Sequence, residues 1–367
     1  MEITDEDWFY DSISRYENLH MFELEQPIQQ VESTGTDSIC VSCSNTRRHQ
    51  LLELSLPSKL LSSNNEITSN TDLKIKCGTF TEKMCYQIKS IDECKLIVSY
   101  VDVEGISLYG LPSDSDEIKK ESLNIDCPLE CPMIATNDSL VWLAKKRTDK
   151  MYLFDLKTEK PVQSLKLDQH ISDGNDEKTV PMFLGPHVAA FGGQRTGDVF
   201  IADHRVSPGR WCFATSHLSS SKDSNYWSFA SLFECSKGIT NSCNNICYAK
   251  VSSDGTLMVY DTRNVEFPVY RDTKLGVKTD NATPQIRFKP GNKDCVSVGG
   301  FNGNVYVYQL EKEDPKLLFT HDGHKHVESY SSQTEVTSHL WPQLDNLVIS
   351  AADNGTIQMW QFGVKDS

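Results

Sequence analysis

The 367-residue chain is 38% hydrophobic, 24% charged and 9% aromatic, the composition of a globular protein with material for a core and not of a disordered one. Thirty-six basic against fifty-one acidic side chains leave a formal charge of −15. A field of that sign disfavours general binding to phosphate backbones; it suits a basic protein surface as partner, or serves solubility alone.

No apolar run approaches the ~18 residues that span a bilayer. Residues 1–16 carry Glu2, Asp5, Glu6, Asp7 and Asp11 where a secretory leader would be basic and then apolar. A cytosolic, reducing setting follows as the expectation. In it the twelve cysteines read as small buried hydrophobes, and the sequons at Asn137, Asn281 and Asn354 carry no glycan.

In chain order, Thr4-Asp5-Glu6-Asp7 sets a hydroxyl ahead of acidic residues, a pattern that caps a helix. Trp8, Phe9, Ile13 and Tyr16 then recur at helical spacing, so residues 1–19 are expected to form a short helical segment. Its aromatics either pack on the protein's own side or dock a partner, and Trp8, Phe9 and Tyr16 are the candidates. A strand is expected over His20–Glu25.

From there one unit recurs: a strand, a tight turn and a second strand. It is most degenerate at Ser38–Ser42 with His49–Leu54. It continues at Leu96–Tyr100 with Glu104–Tyr109, Leu140–Leu143 with Asp149–Asp155, and Ala189–Gly193 with Thr196–Asp203. The clearest copies turn on Asp254-Gly255, Asn302-Gly303 and Asn354-Gly355, dipeptides that tolerate the positive φ of a hairpin. Successive turns lie about 57, 45, 47, 58, 48 and 52 residues apart, near the length of a four-stranded propeller blade with longer loops. Seven turns predict an all-β, seven-bladed WD40-type β-propeller spanning 20–367, closed by pairing of the N-terminal strand with the last blade, which removes a sheet edge. Stretches 62–72, 111–126, 168–180, 216–225 and 322–335 read as surface loops.

Little in the chain reads as chemistry. His324, Ser350, Asp353 and Trp360 fall at the positions where WD40 repeats build a buried hydrogen-bonded set. Tyr260 and Tyr308 replace the Trp in blades five and six. A nucleophilic triad is disfavoured because Ser350 lies mid-strand without a Gly-x-Ser-x-Gly elbow. Cys40-x-x-Cys43 with His49, Cys127-x-x-x-Cys131 and Cys243-x-x-x-Cys247 lack zinc complements at finger or ribbon spacing. Cys40 and Cys43 should also point to opposite faces of a strand. His321, His324 and His326 are taken as an exposed loop and not as a metal site. Lys145-Lys146-Arg147 is a short solvated strand end. No Walker, Rossmann or metalloprotease motif occurs, so no catalytic residue, metal or cofactor is expected.

Two segments, Ala202-Asp203-His204-Arg205 and Tyr260-Asp261-Thr262-Arg263, place Asp-x-Arg after the third strand of consecutive blades. Propellers that serve as substrate receptors of cullin-type ubiquitin ligases engage their adaptor through paired Trp-Asp-x-Arg boxes. Here both lack the Trp, and Arg205 and Arg263 equally suit ordinary ion pairs or bonds to strand carbonyls.

The chain resembles the WD repeat-containing protein 73 family. The likeness rests on Asp7-Trp8…Ser12…Tyr16…Phe22-Glu23-Leu24 and on Pro290-Gly291…Lys293-Asp294-Cys295…Gly300-Phe301-Asn302-Gly303…Val305…Val307-Tyr308. It continues through Leu318-Phe319-Thr320-His321…Gly323-His324, Val336-Thr337…His339…Trp341 and Ser350-Ala351-Ala352-Asp353…Trp360. Between these ends it is one of architecture only. The resemblance implies a non-catalytic cytoplasmic scaffold that binds the RNA endonuclease of the Integrator complex and its inactive paralogue before nuclear import. It implies protein partners, no direct nucleic acid and no membrane, and a monomer when alone. It further implies association with spindle poles, microtubules and cell division.

Overall fold

The computed structural model describes residues 5–61, 72–123, 125, 127, 129–130, 132–144, 150–166, 178–206, 213–215, 226–236, 247–277, 283–311, 314–326, 334–344 and 346–363. Seven four-stranded antiparallel sheets account for nearly all of its regular structure. Blade one is Ile28–Ser33, Ser38–Ser44, His49–Ser55 and Lys74–Thr81; blade two is Cys85–Asp92, Lys95–Tyr100, Ser107–Gly110 and Lys119–Glu121. Blade three is Met133–Asn137, Leu140–Ala144, Lys150–Asp155 and Lys160–Lys166; blade four is Thr179–Phe183, Val188–Gly193, Val199–Asp203 and Phe213–Thr215. Blade five is Trp227–Ser231, Cys247–Ser252, Thr256–Asp261 and Tyr270–Lys274; blade six is Gln285–Lys289, Asn292–Phe301, Asn304–Gln309 and Lys316–His321. Blade seven takes Val336–Leu340, Leu347–Ala352 and Thr356–Phe362 from the end of the chain, and its fourth strand, Tyr16–Glu23, from the beginning. The protein is a seven-bladed β-propeller.

Burial explains why these strands read as they do. The second strands of blades one, five and seven are buried at every position, so they do not alternate with exposed residues, and their serines and Lys250 are buried too. The fourth strand of blade three is largely exposed and polar. The first strands meet one another round the ring, and blade seven's meets blade one's. Side chains stitch these seams to backbone. Gln30 accepts from the Ile88 N–H at 2.7 Å, Gln87 from the Ile134 N–H at 2.6 Å, and Ser338 from the Val31 N–H at 3.2 Å, which joins blade seven to blade one. Each such bond contributes about 1 kcal/mol net and costs more if left half-made.

The hairpin glycines have a packing reason as well as a conformational one. Gly255, Gly303 and Gly355 all have positive φ. Each lies beneath the segment that leaves its own blade for the next. A Cβ on Gly303 would sit 2.3 Å from the Thr334 carbonyl, and one on Gly355 would sit 2.5 Å from that of Leu24. Only glycine fits both demands.

The closing strand begins at Tyr16, four residues before the expected His20, directly after helix α1 (Asp5–Arg15). Tyr16 pairs with Phe362 and sets its ring against Phe319 of blade six, at 4.9 Å between centroids. The seam between the two blades thus draws the strand's start back to the helix.

Of the nine cysteines described, all are free thiols and seven are buried; Cys94 is exposed in the blade-two hairpin and Cys235 is half-buried. Cys40 and Cys43 enter different core clusters, one beside Leu51 and Cys77, the other beside Ile28 and Leu54. Burial pushes the Cys43 and Cys85 thiols up to about 12, so neither is poised as a thiolate ligand. His49 is held by Ser44 at 2.6 Å. Among the described residues no three His, Cys, Asp or Glu side chains gather as a metal site. Cys131, Cys243, Asn281, the Lys145-Lys146-Arg147 run and most of stretches 62–72, 168–180 and 216–225 lie outside the described residues. No helix described is long and apolar enough to cross a membrane.

Candidate functional site

Blade seven carries the one buried set expected from the sequence, and the structure redraws it. His324 stands in the helical turn Gly323–Lys325 that precedes the blade. Trp360 donates its indole N–H to Ser350 Oγ at 3.1 Å, and Ser350 Oγ lies 2.8 Å from His324 Nε2. His324 Nδ1 lies 2.7 Å from Thr356 Oγ1, which donates to Asn354 Oδ1 at 2.6 Å. Thr356 spends its proton on Asn354, so His324 carries a proton on Nδ1; a neutral imidazole then accepts from Ser350 at Nε2, and the bonds run one way from Trp360 to Asn354. Burial lowers His324 to about 3, which keeps it neutral.

Asp353 is not a member of this set. It is exposed and accepts the Glu335 backbone N–H at 2.9 Å. The turn points residue 353 outward and residue 354 inward, so Asn354 takes the acceptor's place and Thr356 links it to the imidazole. Blade five shows the same geometry: Asp254, immediately before Gly255, accepts from Ser252 and from the Thr256 N–H. The residue just before the turn glycine was the signal to read. Ser350 is fully buried with its hydroxyl committed to His324, so the set builds structure and offers no nucleophile.

The neighbouring histidines are not an exposed loop either. His321 is fully buried, stacks on Trp360 at 4.5 Å and meets the Tyr16 hydroxyl through Nδ1 at 2.9 Å. Burial lowers its pKa well below the ordinary value and raises that of Tyr16. His326 stacks against Trp8 at 4.8 Å.

Helix α1 divides the aromatic residues singled out in the sequence. Trp8 is buried and donates to Asp322 at 2.8 Å, and Tyr16 is buried against blade six. Arg15 reaches the same Asp322 carboxylate at 3.1 Å and the Thr320 carbonyl at 3.4 Å. Phe9, Tyr10 and Ile13 face outward. Both readings of the segment therefore have residues to support them, on opposite faces of one helix.

The two Asp-x-Arg segments form matching turns. Asp203 and Asp261 close the third strands of blades four and five, and each accepts the backbone N–H two residues on, at 2.9 and 3.0 Å. Arg205 and Arg263 fold back onto these carboxylates through Nε and Nη2. The bond from Arg205 pulls Asp203 down to about 2. Asp155 closes the third strand of blade three in the same way, accepting the Lys157 N–H at 3.1 Å with no arginine present. The aspartate is thus the turn former, and the exposed guanidinium rides on it.

Two polar sets were not anticipated. His339 and Trp341 of blade seven converge on Ser297 of blade six, at 2.9 and 2.7 Å. Lys250 is fully buried in blade five; its ammonium donates to the Gly197 carbonyl of blade four at 2.7 Å and lies 4.7 Å from the Trp227 ring centroid. A lysine inside the apolar strand Cys247–Ser252 was visible, but only the fold shows what meets it.

A closed ring whose described buried polar sets tie strands and blades to one another defines the class: a WD-type β-propeller scaffold. No protein-family profile matches the chain. Curated proteins do, over almost their whole length. The chain is 26% identical over 377 residues to the Integrator complex assembly factor WDR73 of Danio rerio, with 97% of this chain and 96% of the relative covered. It is 29% identical to that of Xenopus laevis, with 96% of each covered, and 23% identical to that of Homo sapiens, with 97% of each covered. This chain is a diverged relative of those proteins, which are named for assembly and not for catalysis.

Proposed function

We propose that this chain is a non-catalytic assembly factor for the Integrator complex, working in the cytoplasm. Its partners on this reading are the RNA endonuclease subunit and the inactive paralogue, bound and stabilised before nuclear import. The observation that carries the proposal is the end-to-end likeness to proteins named as Integrator assembly factors, joined to a seven-bladed propeller fold. Strands paired into a ring are held in place before binding, which lowers the ordering cost, and one propeller face can supply the ~1,200–2,000 Å² of a stable interface. The −15 charge suits a basic partner surface. The relatives' names speak of Integrator and not of spindle or cell division. Affinity purification of the tagged chain from cytosol should recover both endonuclease subunits in comparable amount; their absence from a clean purification would refute the proposal.

A further inference from the structure

Three of the eleven large apolar side chains exposed among the described residues sit on the eleven-residue helix α1: Phe9 at 57%, Tyr10 at 70% and Ile13 at 65% exposure. At about 100° per residue, Phe9, Ile13 and Tyr10 fall in one arc, with Phe9–Ile13 and Tyr10–Ile13 as neighbours one turn apart. The Phe9 and Tyr10 rings meet edge to face at 5.9 Å. The arc is held out rigidly. On the opposite side Trp8 and Arg15 bind Asp322, and Ser12 is buried with its hydroxyl on the Phe9 carbonyl at 2.7 Å. The helix therefore does not need its outward residues to stay on the propeller. Exposed Asp7 lies beside the arc and Glu17 is exposed just beyond the helix, while Asp11, on the far side, pairs with Arg15 at 2.7 Å.

We propose that the outward face of α1 is a docking surface for a protein segment that presents an apolar anchor flanked by lysine or arginine side chains. Resting on the assembly-factor reading, that segment belongs to an Integrator subunit. Charge selects this occupant. A second copy of the chain would bring the same carboxylates and another −15 charge to the contact. Two aromatic rings, at 150–250 Å² each when fully buried, and one isoleucine also fall short of the ~800 Å² per partner of a standard dimer. An anionic membrane surface is repelled on the same grounds. Rigid aromatic residues on a pre-anchored helix are the kind that dominate interface energetics.

The test uses the full chain and cytosolic Integrator. Wild type, Phe9→Ser/Tyr10→Ser/Ile13→Ser, and a control with Ile75→Ser/Phe80→Ser on the outer strand of blade one are compared for recovery of Integrator subunits. A photocrosslinking residue is placed at position 10 in a parallel sample. The expected result is wild-type recovery from the control, a roughly 30-fold or greater loss in the helix variant at unchanged melting temperature, and a crosslink from position 10 to an Integrator subunit. Binding should weaken severalfold between low and physiological salt. Undiminished recovery by the helix variant, with the position-10 crosslink missing, overturns this inference while the assembly-factor reading stands. No recovery by wild type overturns both. A wild-type dimer in sedimentation that the helix substitutions dissociate, or binding to phosphatidylserine vesicles that they abolish, assigns the face to another occupant and overturns the inference.

Discussion

Blades five and seven solve one packing problem with different chemistry. Across the second and third strands Tyr248 pairs with Tyr260 and Lys250 with Met258, while Val348 pairs with Trp360 and Ser350 with Gln358. Lys250 therefore stands where Ser350 stands, and Tyr260 where Trp360 stands. Blade seven fills the slot with a directed chain of neutral hydrogen bonds through His324. Blade five fills it with an ammonium held beneath a carbonyl and between the Trp227 and Tyr260 rings. The register demands a filled and satisfied slot; it does not prescribe the residues that supply it.

The largest expected effect sets these blades against each other. Trp360→Ala removes a fully buried indole and leaves Ser350 short of a donor, and it should lower stability by about 3–5 kcal/mol. Lys250→Met, an apolar side chain of similar length replacing a buried charge, should change it by no more than about 1 kcal/mol in either direction. Equal losses in urea unfolding would break the distinction between a specified set and a replaceable filler.

Acid should find the blade six and seven side first. Burial holds His324 and His339 down to about 3 when folded, against about 6.5 when unfolded. The unfolded chain thus binds protons that the folded one refuses. Stability is complete above about pH 6.5 and falls as pH drops toward 3, by roughly 2 kcal/mol per histidine at pH 5. Urea midpoints at pH 7.5 and pH 5 measure this, and His339→Gln should shrink the difference. A flat profile would show that these imidazoles are not held neutral.

A smaller contrast lies within blade seven. His324→Ala strips partners from two buried hydroxyls and should cost about 2–3 kcal/mol, whereas Asp353→Ala, at an exposed turn, should cost under about 1. Matching losses in thermal melts would restore Asp353 to the set. One effect expected is a small gain. Gln358 is fully buried, and neither its amide N nor its O meets a partner among the described residues. Gln358→Met should therefore stabilise by about 1 kcal/mol, and a lower melting temperature would reveal a bond that the side chain does make.

The ring was legible because several blades repeat a turn whose backbone favours glycine or a small polar residue, as at Asp254-Gly255 and Asn302-Gly303. The closing strand was legible in kind and misplaced in extent, since Tyr16 owes its strand conformation to Phe319 and Phe362, more than three hundred residues away. His324, Ser350 and Trp360 could be read from spacing. Asn354 was signalled only by its place just before Gly355, and Thr356 not at all, because which turn residue faces inward depends on backbone geometry. Lys250 and the His339–Ser297–Trp341 set span two blades, so their partners become neighbours only after the ring forms. The outward arc of α1 appeared in the sequence as helical periodicity without direction; Asp322 supplies the direction by holding Trp8 and Arg15.

Blade seven joins the first strand among the described residues with the last. Until Thr356–Phe362 has left the ribosome, Tyr16–Glu23 has no neighbour to pair with, and the nascent ring keeps an open edge at each end. Slow, long-range closure of this kind exposes a growing polypeptide to chaperones and to premature association. The same arrangement makes completion an all-or-none event: a product cut short by a stop codon near its end would lack the strand that captures its beginning, and would show quality control two unpaired strands in place of one finished circle.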